Sequence, residues 1–221
     1  MKFAMAYSCG KDSTMAMKKM LDEGHELVAI IVSFSKNQDC SFFHGVKREF
    51  LEQYAETLGC ELILCEIDSA DNYDAIFTAG VRRAKELGAE ALVFGDIDIQ
   101  GHRQWDDERA KEGGIKGLWP LWGVNRRQNV LDVLDSGIKA LIVSVDTEKL
   151  PVEYLGKILD RNMLKKFEKA GIDVCGENGE YHTMVVDAPM FKFALEYEIG
   201  KVYGESQWKV IEVVDKNIVR C

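Results

Sequence analysis

"AYSCGKDSTMAMKKML" (residues 6–21) joins a buried strand to an amphipathic helix through one polar corner. The strand is predicted over "KFAMAY" (2–7), and the apolar residues Met17, Met20 and Leu21 recur after the corner at helical spacing. A plain turn needs one glycine and a capping residue. This corner instead reads Ser8-Cys9-Gly10-Lys11-Asp12-Ser13. Small, hydroxylated and charged residues at the start of a helix are suited to binding an anion.

Strand-like and helix-like segments alternate through the first half of the chain. Strands are predicted at 26–32, 61–67, 91–97 and within 115–123, and helices at 46–59, ending at Gly59, and at 71–87. Apolar strands without polar alternation, separated by helices, indicate a parallel sheet covered on both faces. We therefore predict an α/β fold with a doubly wound parallel sheet, Rossmann-like, over residues 1–125.

The pattern changes in the second half. A helix over about 127–134, a strand over 140–145 and a helix around 155–170 precede a polar loop at 172–191. "FALEYEIGKVYG" and "SQWKVIEVV" then alternate as antiparallel strands do. Residues 126–221 are therefore predicted to form a smaller α+β domain that binds the second substrate.

Composition and charge exclude several classes of protein. The chain has 221 residues, 47% of them hydrophobic, and its net charge of −9 disfavours a broad surface for nucleic acid. The segment "VNRRQN" (124–129) is the one basic candidate, and we interpret it as a solvated helix start. The longest apolar runs are too short to span a membrane. The N-terminal sequence becomes polar by Ser8, which is too early for the apolar region of a signal peptide. Six cysteines without a framework spacing, the last of them Cys221, predict reduced thiols in the cytoplasm.

The corner has the chemistry of a phosphate site. In a doubly wound sheet it lies at the carboxyl end of the strands, where such folds bind ligands. Gly10 permits close approach, Ser8 and Ser13 can donate hydrogen bonds, and Lys11 adds a positive charge. Asp12 would repel a polyphosphate unless Mg²⁺ lies between them. The alternative, that Asp12 or Ser13 merely caps the helix, remains open at this point.

Two common phosphate-binding motifs are absent. A Walker motif would need Gly at position 5 and Ser or Thr at position 12, where this chain has Met5 and Asp12, and no G-x-G-x-x-G occurs. The corner resembles the PP-loop, S-G-G-x-D-S, of the ATP pyrophosphatases, which include GMP synthetase, asparagine synthetase and the tRNA-lysidine and thiouridine synthetases. Cys9 departs from that motif, because it replaces the usual second-position glycine.

Five further segments narrow the resemblance. They are "SFFH" (41–44), "ALVFGDI" (91–97), "GHRQW" (101–105), "PLWG" (120–123) and "CGENGEYHTMVVDAPMF" (175–191). Together they resemble the diphthine–ammonia ligase (diphthamide synthase) family of adenine nucleotide alpha-hydrolase-like proteins. The resemblance runs from Met1 to about Phe191. The resemblance implies the compact form of this family, which lacks the long C-terminal extensions of eukaryotic members.

The resemblance implies an ATP-dependent amide ligase. Such an enzyme adenylates a substrate carboxylate, releases pyrophosphate and lets ammonia displace AMP, with diphthine on elongation factor 2 as the favoured acceptor. The corner, from Ser8 to Ser13 with Cys9 included, would hold the nucleotide together with Gly95 and Asp96, and Asp12 would hold Mg²⁺. Asp96 could alternatively cap a helix. His102 and Arg103 would stabilise charge at the α-phosphate. A homo-oligomer is left open.

The segment "GENGEYHT" (176–183) is the second centre of interest. Glu177 and Glu180 are expected to bind the acceptor or ammonium, and Glu180 and His182 to act in catalysis. Diphthine carries a quaternary ammonium, which favours carboxylates and aromatic faces such as Tyr181 or Trp122. His44, in "SFFH", is assigned to the same acceptor by the resemblance. A zinc site is the weaker rival, since no HExxH is present, and a tight turn with capping glutamates is the simplest alternative.

Two other functions remain open at this level. A bacterial source would demand a different carboxylate acceptor for the same chemistry. A nucleotide-binding protein that senses ATP or AMP would need no acceptor at all. Release of pyrophosphate with an acceptor distinguishes both ligases from the sensor.

Overall fold

The computed structural model describes residues 1–42, 44–204 and 206–216. The chain divides into two compact units, the first made of Met1–Ser8 and Asp12–Val124 and the second of Cys9–Lys11 and Asn125–Cys221. Cys9, Gly10 and Lys11 of the corner therefore group with the second unit, whereas Ser8, Asp12 and Ser13 group with the first. Phe43 of "SFFH" and the predicted free thiol of Cys221 lie outside the described residues.

The first unit contains a mainly parallel sheet. Its strands are β1 (Lys2–Ala6), β2 (Glu26–Ser35), β3 (Cys40–Ser41), β4 (Glu61–Ile67), β5 (Ala91–Val93) and β6 (Lys116–Leu118). The parallel strands lie in the order β4-β2-β1-β5-β6, and β3 pairs antiparallel with the end of β2. The order reverses between β1 and β5, which is the ligand-binding position of a doubly wound sheet. The predicted fold class is confirmed.

Four helices connect these strands. They are α1 (Lys11–Asp22), α2 (Arg48–Leu58), α3 (Tyr73–Glu86) and α4 (Gln100–Gly113). The central strands β1 and β2 begin with an exposed charged residue and are apolar and buried in their middle parts, as at Phe3, Met5 and Ile30. Gly59 ends α2 in the left-handed conformation, with φ of 70°, as predicted for a C-terminal cap.

Two predictions in this unit were wrong. The strand predicted over 91–97 ends at Val93, and α4 was not predicted at all. The sequence of α4 is mostly polar, and its buried face includes the charged residues Asp106 and Arg109, so it lacks the apolar periodicity of an amphipathic helix. His102 and Arg103 consequently lie in the first turn of α4.

The second unit is α+β, as predicted. Its elements are α5 (Arg126–Asp135), β7 (Lys139–Asp146), α6 (Arg161–Ala170), β8 (Tyr181–Asp187), β9 (Tyr197–Tyr203) and β10 (Trp208–Asp215). The strands form an antiparallel sheet in the order β8-β7-β10-β9. Asn125 caps α5 by accepting a 3.2 Å hydrogen bond from the backbone N–H of Gln128, which agrees with a helix start in "VNRRQN".

Two boundaries in this unit differ from the prediction. The supposed loop at 172–191 contains β8, whose polar first residues, including His182, obscured the buried run that follows them. The helix predicted from 155 begins only at Arg161, because the Asp160 carboxylate accepts hydrogen bonds from the N–H groups of Asn162 and Met163. Among the described residues of both units, no helix is long and apolar enough to cross a membrane.

Candidate active site

The corner places hydroxyl groups at the carboxyl end of the central strand. β1 ends at Ala6 and α1 begins at Lys11, so Asp12 and Ser13 lie inside the first turn of the helix instead of at its cap position. The Ser8 and Ser13 hydroxyls are 3.0 Å apart. The positive end of the α1 dipole and these donors together favour an anionic ligand.

Gly95 brings the chain that leaves β5 against the first turn of α1. A Cβ at this position would lie 2.8 Å from the backbone nitrogen of Ser13 and 2.9 Å from its Cα. Such a close approach excludes any side chain. Gly95 was predicted to contact the nucleotide, and the structure adds a packing reason for glycine beside the anion-binding end of α1.

Cys9 replaces glycine at a position that has glycine-like geometry. Its φ is 68°, in the left-handed region, and its side chain is fully buried. Burial raises the pKa of the Cys9 thiol well above its ordinary value, so this sulfur is a neutral packing group. The Cys9 carbonyl accepts a 2.8 Å hydrogen bond from the backbone N–H of Val185, in β8.

Lys11 is buried within the second unit. Its ammonium donates a 2.5 Å hydrogen bond to the carbonyl oxygen of Cys175 and lies 5.4 Å from the centroid of the Tyr181 ring. Its backbone N–H donates to the Thr183 hydroxyl at 3.1 Å. The charge that was predicted to face phosphate is therefore also an anchor for the segment that precedes and includes "GENGEYHT".

The donor set of the first unit fits a magnesium ion. Asp12 offers a half-buried carboxylate in the first turn of α1, and Ser8 and Ser13 offer hydroxyl oxygens. Mg²⁺ prefers oxygen ligands and is often held by one or two carboxylates together with substrate phosphates.

A pair of carboxyl groups lies after β5 and on α4. Asp96 Oδ1 is 3.0 Å from His102 Nδ1, and Asp106 Oδ2 accepts a 2.9 Å hydrogen bond from the indole N–H of Trp119. Burial raises the pKa of Asp106 to about 8, and the charge of Asp96, which also hydrogen-bonds it, contributes to the shift. The shift favours the protonated form of Asp106, which can donate to Asp96 and accept from Trp119.

The guanidinium of Arg103 lies over two tryptophans of the turn that follows β6. Its guanidinium carbon lies 4.9 Å from the ring centroid of Trp119 and 4.4 Å from that of Trp122. The Trp122 backbone N–H donates to the Trp119 carbonyl at 3.1 Å, which closes the turn that contains Pro120. The Trp122 ring, which was predicted to bind a cationic acceptor, thus contacts a cation of the protein itself.

The "GENGEYHT" segment is a pair of tight turns that leads into β8. Gly176 and Gly179 have φ values of 77° and 80°, and a Cβ on Gly176 would lie 2.9 Å from the Tyr181 carbonyl oxygen. Glu180 is buried, and its carboxylate accepts a 3.1 Å hydrogen bond from the backbone N–H of Asn178. Glu180 thus closes the turn, whatever further role its charge has.

Cations fix this segment on both sides. Arg126 pairs with Asp173 at 2.5 Å, and the Lys149 ammonium donates to the Asn178 carbonyl at 2.8 Å. Arg127, the other arginine of "VNRRQN", pairs with Glu168. The geometry is that of a rigid acidic turn, with the basic residues of 124–129 already engaged by carboxylates.

Both halves of the chain match known protein families. Residues 1–117 match the diphthamide synthase N-terminal domain, and residues 125–218 match the diphthamide synthase C-terminal domain. The chain belongs to the diphthamide synthase family. This confirms the resemblance on which the sequence analysis depended, and with it the predicted kind of enzyme, a ligase of the diphthine–ammonia ligase type.

Relatives of the diphthamide synthase family match most of the chain. The diphthine–ammonia ligase of Mus musculus is 28% identical, with 87% of this chain and 81% of the relative covered. That of Bos taurus is also 28% identical, with 93% and 86% covered. The Schizosaccharomyces pombe protein of the same name is 30% identical and matches the whole chain, which spans 40% of that relative.

The site residues that the sequence analysis predicted fall into distinct groups in the structure. Within the first unit, Ser8 contacts Ser13, and Asp96 contacts His102. Tyr181 is buried against Phe167, with ring centroids 5.6 Å apart, and the His182 ring stacks on Trp208 at 6.5 Å. Half-buried Glu177 is the first acidic residue of the turn, and His44 follows Phe42 in a backbone turn after β3.

Sequence reasoning missed Asp106 and Trp119. Asp106 belongs to the unpredicted helix α4, and no motif or periodicity marked it. Its one signal was its position four residues after His102, which places both on one face of a helix. Trp119 is one residue before the quoted "PLWG" and was overlooked in favour of Trp122.

Proposed function

We propose that this protein is an ATP-dependent carboxylate–ammonia ligase that converts diphthine to diphthamide on elongation factor 2. The observation that carries the proposal is the hydroxylated corner at the start of α1, beside the point where the strand order reverses between β1 and β5. This is the position where a doubly wound sheet binds a nucleotide. The names of the relatives supply diphthine as the acceptor group, and elongation factor 2 comes from the resemblance to the family.

The corner would bind the pyrophosphate end of ATP. The Ser8 and Ser13 hydroxyls donate hydrogen bonds, Gly10 permits close approach, and the start of α1 supplies backbone N–H groups. The Lys11 side chain donates a hydrogen bond to the Cys175 carbonyl oxygen. Asp12 would hold Mg²⁺, which when bound offsets the repulsion between this carboxylate and the phosphates.

The reaction has two steps with a balanced exchange of groups. The acceptor carboxylate attacks the α-phosphorus, so that an acyl–phosphate bond forms and the bond to pyrophosphate breaks. Ammonium loses one proton to become ammonia, which attacks the acyl carbon; AMP leaves, and the nitrogen releases a second proton as the amide forms. His102 and Arg103 would stabilise charge at the α-phosphate in the first step. Glu177, Glu180 and His182 would bind ammonium or the acceptor and take these protons in the second.

The five cysteines in the described part of the chain are all free. Free thiols are usual in a reducing compartment. We therefore propose that the protein acts in the cytoplasm.

An amidation assay tests the function directly. The protein is incubated with ATP, Mg²⁺, ammonium and elongation factor 2 that carries diphthine, and amide, AMP and pyrophosphate are quantified. We expect the three products in equal amounts. Pyrophosphate without amide on this acceptor would point to a different carboxylate, whereas nucleotide binding without pyrophosphate release would indicate a sensor.

Asp12→Ala provides the internal check on the site. It should lower pyrophosphate release by roughly a hundredfold or more, as the loss of one key electrostatic group does. Asp22→Ala is the matched control, because Asp22 lies at the other end of α1, in an exposed pair with Lys18. Equal activity of the two variants would refute the assignment of Asp12.

A further inference from the structure

Arg103 has an unusual environment for a charged side chain. Its guanidinium lies over the rings of both Trp119 and Trp122. Within residues 1–42, 44–204 and 206–216 it forms no ion pair with a carboxylate. Two indoles therefore hold the cation, while its N–H donors are not engaged by an acidic side chain of the described protein.

Trp119 is itself fixed by its surroundings. Its indole N–H donates to Asp106, and its ring stacks on Phe94 with centroids 5.6 Å apart and an interplanar angle of 12°. A Cβ on Gly117 would lie only 2.4 Å from Cη2 of this ring, so the indole packs directly on the backbone of β6. The ring has little freedom to rotate.

Trp122 is fixed by the turn that carries it. The turn is closed by the hydrogen bond from Trp122 to the Trp119 carbonyl, and Pro120 restricts the backbone between them. The next residue, Gly123, donates a 2.8 Å hydrogen bond to the carbonyl of Ile97, directly after Asp96. Both tryptophans thus belong to a turn whose backbone is tied to the segment after β5.

Contact with two rings limits how a guanidinium can bind. Its cationic centre lies against both indoles, so a ligand is bound through the N–H groups that point away from the rings, and these suit the oxygens of a phosphate or carboxylate. Cation–π contacts also reduce the number of conformations that the long side chain can adopt. An arginine held in this way loses little conformational entropy when an anion binds.

We propose that Trp119 and Trp122 are positioning residues that fix Arg103 as the oxyanion-binding group for the α-phosphate. The inference rests on the proposed function, in which charge increases on this phosphate as the acceptor carboxylate attacks. It assigns the two indoles to Arg103 and not to the quaternary ammonium of the acceptor. It also adds Asp106 and Gly117 as residues that hold Trp119.

A double-mutant cycle between Trp119 and Arg103 tests this assignment. Trp119→Leu should lower kcat for pyrophosphate release about tenfold, the size of a partly desolvated cation–π contact, while KM for ATP changes less than about twofold. Arg103→Ala should lower kcat by a larger factor than Trp119→Leu does. Adding Trp119→Leu to Arg103→Ala should cause no further loss, because the indole acts only through the guanidinium. If the kcat losses of the two single variants multiply in the double variant, the proposal is overturned.

Matched variants separate positioning from folding. Trp105→Leu makes the same substitution in α4, where Trp105 packs on Tyr73 and Phe77 and donates to Asp74. It should lower stability but not kcat per folded molecule. Trp122→Phe should retain more activity than Trp122→Leu, since only Phe keeps a ring beneath the guanidinium. Equal loss in the Phe and Leu variants would count against an aromatic role.

AMP affinity keeps the test independent of the acceptor. AMP carries a second negative charge on its α-phosphate that the α-phosphate of ATP lacks, so it resembles the charged transition state. Arg103→Ala and Trp119→Leu should each weaken AMP binding severalfold, and the double variant no further. If the wild type releases no pyrophosphate, the proposed function fails, whereas unchanged AMP affinity in both single variants overturns this inference.

Discussion

The ammonium of Lys11 donates a 2.5 Å hydrogen bond to the carbonyl oxygen of Cys175, a residue 164 positions later in the chain. Lys11 belongs to the predicted phosphate corner, and Cys175 directly precedes "GENGEYHT". One corner residue therefore depends on the acidic turn for its position. A variant in that turn has to be tested for nucleotide affinity as well as for amide formation.

Glu180 has two possible roles that substitutions can separate. Its carboxylate accepts a hydrogen bond from the Asn178 N–H, and glutamine can make the same bond without the charge. We expect Glu180→Gln to fold and to bind ATP with little loss but to fail in amide formation. We expect the same of His182→Ala, because positioning of the second reactants contributes several kcal/mol.

Glu180→Ala is the companion variant, since it removes the hydrogen bond as well. All measurements are made on the same folded samples. Full amide yield in Glu180→Gln would leave Glu180 with only the turn-closing role. A collapse of ATP affinity in that variant would instead place the turn in the nucleotide site.

Cys9→Gly should be tolerated. Glycine relieves the strain of a left-handed φ, about 1 kcal/mol, while the buried thiol loses packing of similar size, so the free energy of unfolding should change by less than about 1 kcal/mol. Pyrophosphate release should persist. Cys9→Val is the contrasting variant, because a β-branched side chain is disfavoured at positive φ. If urea unfolding shows that Cys9→Val has a higher free energy of unfolding than Cys9→Gly, the strained geometry at this position is contradicted.

Gly95→Ala should disrupt the start of α1. The added Cβ would lie 2.8 Å from the backbone nitrogen of Ser13, so the helix or the segment after β5 has to move. We expect a loss of about 1–3 kcal/mol in the free energy of unfolding and weaker ATP binding. Gly101→Ala is the control, since nothing lies within 4 Å of a Cβ there and alanine favours the helix. Similar effects of both variants would argue against the close approach.

Asp106 should make stability depend on pH. Its folded pKa is about 8 against an ordinary value of 3.8, so between these values the folded protein retains a proton that the unfolded chain releases. The free energy of unfolding therefore falls as the pH rises through this window and levels off above it. Asp106→Asn keeps a neutral donor and acceptor, so its stability relative to wild type should increase from pH 5 to pH 8.

Chemical unfolding at several pH values measures this difference. Asp107→Asn is the control, because Asp107 is the exposed neighbour on α4. A constant difference between Asp106→Asn and wild type across the range would mean that Asp106 is ionised in the folded protein. If the stability of Asp106→Asn relative to wild type decreases from pH 5 to pH 8, wild-type stability rises through this window, which contradicts the prediction.

The sequence by itself determined the fold class, the phosphate corner and the order of most elements. These features have local signals: apolar runs for buried strands, the spacing of Met17 and Met20 on α1, Gly59 at a helix end, and a motif within six consecutive residues. Each signal depends on neighbours in the chain, so it can be recognised without knowledge of the tertiary contacts.

Only the tertiary structure decided the environments of Asp106, Arg103 and Lys11. The protonation of Asp106 depends on its burial and on Asp96, and the stack on Arg103 requires a turn that follows a different strand. Helix α4 escaped prediction because its buried face includes charged residues that are matched by partners elsewhere in the chain. Burial and pairing across long sequence separations set the pKa of Asp106 and the orientations of all three side chains, and no local periodicity encodes them.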